Sequence, residues 1–201
     1  MRSVEARLQA GLEAMYRLQP TPPIDAFCLT PTASAREVLL VRHDPDADET
    51  HIGLMLCREA TNETRRLISG KPARSVDSVA LVLEGISHFV YFTHCGQQER
   101  PVSRVELELQ AEIDKFMALW LWFGADPEAL VSLLFDRFSL QTGLSADDEA
   151  RYRTANREAR RYAMFLVAHH RAGRRHHALA NARRLYRSPL PTKLGLIASS
   201  A

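Results

Sequence analysis

The chain has 201 residues, 46% of them hydrophobic and 25% charged, and its formal net charge is +2 at pH 7. This composition is typical of a globular protein and excludes a low-complexity or disordered chain. The three cysteines, Cys28, Cys57 and Cys95, lie far apart and form no CxxC pair. Their spacing argues against a disulfide framework and a structural zinc site. In the leading interpretation of the sequence we expect no metal and no cofactor.

The distribution of apolar residues predicts neither a secretory signal nor a membrane-spanning segment. Glu5 and Glu13 interrupt the N-terminal stretch where a secretory signal needs an apolar core. The longest apolar run, residues 116–123, is far shorter than a membrane span. The sequence therefore predicts a cytoplasmic protein without a transmembrane segment.

The first third of the chain combines helical and strand patterns. Apolar residues recur at helical spacing over residues 3–18, which predicts an amphipathic helix that ends before Pro20. Short runs rich in Val, Ile, Leu and Phe predict three strands, at residues 24–29, 37–42 and 51–57. An acidic turn at residues 44–49 joins the last two strands into a predicted hairpin. Residues 59–69 predict a short helix that ends at Gly70.

Residues 77–94 carry apolar side chains on nearly every side of a helical projection. This pattern indicates a helix that is buried from several directions. Two strands broken at Glu84 and Gly85 are the alternative.

Helix start and stop signals dominate from Ser103 onward. Ser103 and Glu106 form a capping-box pattern, Asp126 precedes a first-turn proline, and Ser145 precedes three acids that favour the positive end of a helix. These signals predict four helices, at residues 103–124, 126–140, 145–171 and 175–187. Pro189 and Pro191 then predict an extended tail.

Together these elements predict an α+β fold, in which a small antiparallel hairpin near residues 37–57 packs with helices and an all-helical C-terminal half follows. We expect an α+β body at residues 1–124. A helical C-terminal region at residues 125–201 carries the arginine-rich helices and the extended tail, and the two regions pack as one compact unit.

The charges are distributed unequally along the chain. Residues 151–201 contain eleven arginines and one lysine against a single acid, Glu158, whereas residues 1–150 contain 14 basic and 23 acidic side chains. A segment with one sign of charge usually contacts something anionic. The predicted binding surface consists of Arg153, Arg157, Arg160, Arg161, Arg171, Arg174, Arg175, Arg183, Arg184 and Arg187.

Several anionic partners fit this surface: the acidic body of the chain itself, a second subunit in a homodimer, an acidic protein, an anionic lipid surface or nucleic acid. Tyr152, Tyr162 and Tyr186 are interleaved with the arginines, and rings that stack on bases beside cations are typical of nucleic-acid surfaces. The sequence contains no helix-turn-helix or zinc-finger signature. We therefore rank pairing with the acidic body or a second subunit above nucleic acid.

Glu84 and His88 are the only carboxylate and imidazole side chains between residues 78 and 93. On one helix they share a face, and an antiparallel helix after the loop at residues 95–101 brings Glu108 and Glu112 near their level. A histidine among carboxylates can bind a metal ion or act as a general acid and base. Because buried charges are normally paired, the structural interpretation of this group ranks first.

The leading hypothesis is a non-enzymatic binding, adaptor or assembly protein. Its arginine-rich helices would contact an acidic partner, its own acidic body or a second subunit. One alternative is a nucleic-acid-binding protein that uses the same surface. The other is a metal-dependent or general acid–base enzyme centred on Glu84, His88 and Glu112.

Overall fold

The computed structural model describes residues 2–30, 37–47, 49–140 and 142–200. Within these ranges, eight α-helices and one two-stranded antiparallel sheet form an α+β fold, as predicted. The elements in chain order are α1 (Val4–Tyr16), β1 (Glu37–Asp44), β2 (Glu49–Leu56), α2 (Arg58–Ile68), α3 (Val76–Gln97), α4 (Arg104–Leu121), α5 (Pro127–Val131), α6 (Ala146–Arg171), α7 (Arg175–Arg187) and α8 (Leu190–Ala198).

The hairpin is confirmed, with β1 and β2 paired from Glu37 opposite Leu56 to Asp44 opposite Glu49. Asp48, in the predicted acidic turn, lies outside the described residues. The buried side chains of Leu54 and Leu56 place one face of β2 against the helical core, where both strands contact α3. The sheet thereby holds Glu37, at the start of β1, beside the middle of α3.

The strand predicted at residues 24–29 is wrong. Ile24–Ala26 form a single 3₁₀ turn, and Cys28 makes one isolated bridge with Leu54. Pro23 caps that turn, and the fixed φ of proline together with its missing N–H favours a turn over a paired strand.

Helix α3 lies at the centre of the molecule and contacts α1, α2, α4 and both strands. Its buried side chains point in all directions, as the sequence predicts, and the alternative of two strands is wrong. Helix α4 runs antiparallel to α3, since Tyr91 contacts Glu106 near one end and Glu84 contacts Lys115 near the other.

By length and composition alone, α3 is also long and apolar enough to cross a membrane, with a mean hydropathy of 1.2 over its most apolar window. Inside the protein, 67% of that window is buried, and a core helix meets the same two criteria.

Helix α6 begins after Ser145, whose hydroxyl accepts a hydrogen bond from the Asp148 N–H, and packs along α4. The helix predicted at residues 126–140 is shorter than expected. It is α-helical only at Pro127–Val131 and continues as a π-helical turn at Ser132–Asp136.

The extended tail predicted after Pro189 is also wrong, because Leu190–Ala198 form α8. Pro191 stands in the first turn of this helix, where a missing backbone N–H is tolerated and the proline φ suits the helix. Helix α8 packs against α6 and α7 and buries Lys193 and Ile197.

Candidate functional site

A group of ionisable side chains meets where β1, α3, α4 and α6 come together. We call it the carboxylate–histidine cluster, and it consists of Glu37, Glu84, His88, Glu108, Glu112, Lys115 and Arg151. Glu84 and His88 are one turn apart on α3, and α4 presents Glu108, Glu112 and Lys115 along one stripe because these residues recur at helical spacing.

His88 lies between two carboxylates. Its Nδ1 atom is 3.5 Å from Glu37 Oε1 and its Nε2 atom is 3.4 Å from Glu108 Oε2. The side chain is almost completely buried, and its Nε2 atom has no hydrogen-bond partner of good geometry among the described residues. Burial opposes the charged imidazolium, but Glu108 and Glu37 outweigh it and raise the pKa of His88 to about 10.

Two permanent cations balance part of the negative charge in the cluster. Lys115 Nζ donates to Glu84 Oε2 and to Glu112 Oε1, each at 2.8 Å. Burial raises the pKa of Glu112, although Lys115 opposes this shift. Arg151 Nε lies 3.5 Å from Glu108 Oε1, and its Nη1 atom donates to Asp148 at 2.6 Å.

The structure places the predicted residues Glu84, His88 and Glu112 in one cluster, together with Glu108. Glu112 bonds to Lys115, while Glu108 faces the histidine. Ligand atoms of Glu84, His88 and Glu108 all lie within 4.8 Å of one another, a separation from which they can hold a metal ion. Sequence reasoning missed Glu37, because only the packing of the hairpin on α3 brings it to His88.

A second polar group lies on the opposite side of α4 and escaped the sequence analysis entirely. We call it the buried lysine network. Asp114 accepts hydrogen bonds from Tyr16, Ser87 and Gln110, and burial raises its pKa to about 6. Lys193 of α8 is fully buried and donates to Gln110 Oε1. Its burial links α8 to the central helices.

Two arginines near the C-terminal end of α7 donate hydrogen bonds to backbone carbonyl groups of the same chain. Arg183 donates to the carbonyl oxygen of Met15, and Arg187 donates to those of Tyr16 and Arg17, at 2.6–2.9 Å. These carbonyl groups form the C-terminal end of α1, which has no further intrahelical donors. Arg183 and Arg187 therefore attach α7 to α1.

The predicted arginines of α6 are exposed. Arg153 and Arg157 pair with Glu149 and Glu158 of the same helix, at 3.6 and 2.8 Å. Two other exposed arginines pair with acids that precede α6 in the chain: Arg160 with Asp136 and Arg171 with Glu128, each at 2.7 Å. The exposed fraction of the arginine side chains in these four pairs is between 46% and 71%, so each pair is weak.

A groove of about 550 Å³ runs along this exposed face of α6. We call it the arginine groove, and its principal lining residues are Arg157, Arg160, Arg161, Met164, Phe165 and Arg174. Met164 is 45% exposed, which places an apolar side chain between the guanidinium groups. The remaining predicted arginines differ in position: Arg175 lies over the Trp120 ring, and Arg184 is exposed on α7.

The tyrosines that interleave with these arginines in the sequence do not accompany them on the surface. Tyr162 and Tyr186 are completely buried, and Tyr152 is half-buried beside Arg151. The arginine groove therefore contains guanidinium groups, a thioether and the ring of Phe165, without the exposed tyrosine rings that the spacing indicated.

Comparison with protein-family models, with curated proteins and with solved structures finds no match for this chain.

Proposed function

We propose that this is a non-enzymatic binding protein that contacts an acidic segment of a partner protein through the arginine groove. The observation that carries the proposal is the convergence of Arg157, Arg160, Arg161 and Arg174 around exposed Met164 in one groove. Guanidinium groups bind carboxylates two oxygens at a time, and the thioether of a methionine accommodates apolar side chains of varied shape.

The carboxylates already present do not neutralise the groove. The residues that line it include four arginines and one acid, Glu158. The pair between Arg157 and Glu158 is exposed on the arginine side, and an exposed pair contributes about 0–1 kcal/mol. An incoming carboxylate can therefore replace these contacts at little cost.

An acidic protein segment fits the groove better than nucleic acid does. The burial of Tyr162 and Tyr186 removes rings on which bases stack. The apolar strip at Met164 and Phe165 instead fits a peptide that alternates acidic and apolar residues.

The test measures binding of a labelled peptide of alternating Glu and Leu by fluorescence anisotropy. We expect the affinity to fall between about 50 and about 200 mM salt, because ion pairs are screened. The variant Arg157→Glu/Arg161→Glu should bind at least about tenfold more weakly. The matched control, Arg7→Glu/Arg58→Glu, makes the same charge change on the exposed surfaces of α1 and α2 and should bind like the wild type.

Equal affinity of both double variants would contradict the proposal. Tighter binding of single- or double-stranded DNA of matched charge would support the nucleic-acid alternative instead. Sedimentation of the protein alone tests whether the acidic segment belongs to a second copy, in which case Arg157→Glu/Arg161→Glu would dissociate the assembly.

A second candidate is an acid–base enzyme that uses the carboxylate–histidine cluster. It is supported by the position of His88 between Glu37 and Glu108. With one carboxylate beside each ring nitrogen, the imidazole can hold a proton on either nitrogen. Hydrolysis of activated carboxylic and phosphoric esters by the wild type and by His88→Gln provides the test. Turnover that is identical in the two proteins would eliminate this candidate.

A further inference from the structure

The carboxylate–histidine cluster contains three side chains whose atoms can act as metal ligands. The function proposed for the arginine groove makes no use of them. Atoms of Glu84, His88 and Glu108 lie within 4.8 Å of one another, on two facing helices. A carboxylate cluster alone does not define a metal site. Here, however, a histidine that is only 8% exposed directs an Nε2 atom without a good hydrogen-bond partner toward Glu108.

The other nitrogen of His88 has the environment of a metal ligand. A metal-bound histidine usually places its second ring nitrogen beside a carboxylate, which fixes the tautomer and the ring orientation. His88 Nδ1 lies 3.5 Å from Glu37 Oε1. Glu37 would therefore accept a hydrogen bond from the Nδ1–H group and leave Nε2 to bind an ion.

Basic side chains lie beside both carboxylate ligands. Lys115 donates a hydrogen bond to one oxygen of Glu84 at 2.8 Å, and Arg151 forms an ion pair at 3.5 Å with one oxygen of Glu108. The hydrogen bond from Lys115 restricts the rotation of Glu84 before an ion arrives, as the outer partners of metal ligands commonly do.

The formal charges also match a divalent ion. Glu37, Glu84, Glu108 and Glu112 provide four negative charges, and Lys115 with Arg151 provides two positive charges. Metal binding replaces the proton on Nε2 of His88, and with the histidine then neutral the cluster has two negative charges in excess. One divalent cation removes that excess, which lowers the cost of burying the group.

We propose that Glu84, His88 and Glu108 bind one divalent transition-metal ion. One imidazole nitrogen with two carboxylate oxygens suits Zn²⁺ or Mn²⁺ better than Mg²⁺ or Ca²⁺, which prefer oxygen ligands alone. Three protein ligands leave a coordination position for water or a substrate, as in catalytic rather than structural zinc sites.

The test uses the full chain after treatment with a chelator and titrates it with Zn²⁺, Mn²⁺ and Mg²⁺ separately by calorimetry. We expect one Zn²⁺ per chain at this site and weaker or no binding of Mg²⁺. His88→Gln should remove the site, and Glu37→Gln should weaken binding by about 10–100-fold, as loss of an outer partner does.

The exposed pair His176 and His177 offers two alternative zinc ligands on the surface, so His176→Gln/His177→Gln is the matched control and should leave the site intact. Glu84→Gln provides a second variant if His88→Gln does not fold. Cobalt substitution gives an independent readout, because His88 ligation should produce visible absorption bands that are absent in the variants. Equal zinc stoichiometry and affinity in the wild type and the ligand variants would overturn the proposal and leave His88 as a bridging cation.

Discussion

The Nζ atom of Lys193 lies 4.3 Å from the centre of the Tyr91 ring, in the interior of the protein. The aromatic face and Gln110 replace water around this amine. Burial lowers the pKa of Lys193 to about 7, although Glu106 and Asp114 favour the charged form. The amine is therefore protonated in only about half of the molecules near pH 7, unlike a lysine on a protein surface.

The first prediction concerns the pH dependence of stability. The folded-state pKa of Lys193 is below the value of 10.5 expected in the unfolded chain, so the unfolded state binds more protons between about pH 7 and 10.5. Stability should therefore rise with pH through this window. Lys193→Met should remove this contribution, which is on the order of a few kcal/mol.

Urea unfolding at several pH values provides the measurement, with the difference between wild type and variant as the quantity to follow. This difference cancels the titration of other lysines and tyrosines. A difference that stays constant between pH 7 and 10 would show that Lys193 keeps an ordinary pKa in the folded protein.

The second prediction concerns the attachment of α7 to α1. Arg187→Ala should destabilise the protein by about 1 kcal/mol, because the carbonyl groups of Tyr16 and Arg17 lose a charged donor. Arg184→Ala removes an exposed arginine one turn earlier on the same helix and should change stability little. Thermal unfolding distinguishes them, and equal melting temperatures would contradict this role of Arg187.

The third prediction compares two glycines of α3. A methyl group on Gly85 would lie 2.6 Å from Leu56 Cδ2 and 2.8 Å from Glu37 Cγ, whereas nothing lies within 4 Å of the same position on Gly96. Gly85→Ala should lower the free energy of unfolding by about 1–3 kcal/mol through overpacking against the hairpin. Gly96→Ala should raise it by up to about 1 kcal/mol, since alanine favours helix.

Both variants place the same side chain in the same helix, so differential scanning calorimetry of the pair isolates the effect of packing. Shifts of the melting temperature in the same direction would show that β1 and β2 do not press on α3 at Gly85.

The fourth prediction concerns the ion pairs of Lys115. Lys115→Met should destabilise the protein by about 3 kcal/mol, because Glu84 and Glu112 lose their common cation in a largely buried position. The triple variant Glu84→Gln/Glu112→Gln/Lys115→Met should recover most of this loss, since it also removes the two negative charges that Lys115 balances. Denaturant unfolding without added metal provides the measurement, and a triple variant no more stable than Lys115→Met would indicate a packing effect.

Local signals predicted the helices of this chain well. Ser103, Asp126 and Ser145 each accept a hydrogen bond from the backbone N–H three residues later, so their effect is contained within one turn of the chain. The proximity of Glu84 and His88 was equally predictable, because four residues on a helix define one face.

Contacts between distant elements were not predictable in the same way. Glu37 reaches His88 through the packing of the hairpin on α3, which no spacing in the sequence reveals. Pro189 and Pro191 resembled the end of a helical region, although Pro191 stands where a helix tolerates it. The burial of Lys193 depends on that misassigned helix and was missed with it.

The contact between Arg187 and Tyr16 spans 171 residues, and α8 follows immediately after it. During synthesis on the ribosome, α1, α3 and α4 emerge long before residue 193. Until then, the amine of Lys193 is absent from Gln110, which accepts its hydrogen bond, and from the rings of Tyr91 and Tyr186. The nascent chain must therefore keep an unfinished polar interior until α8 emerges. The buried lysine network is thus completed only after α8 has been synthesised.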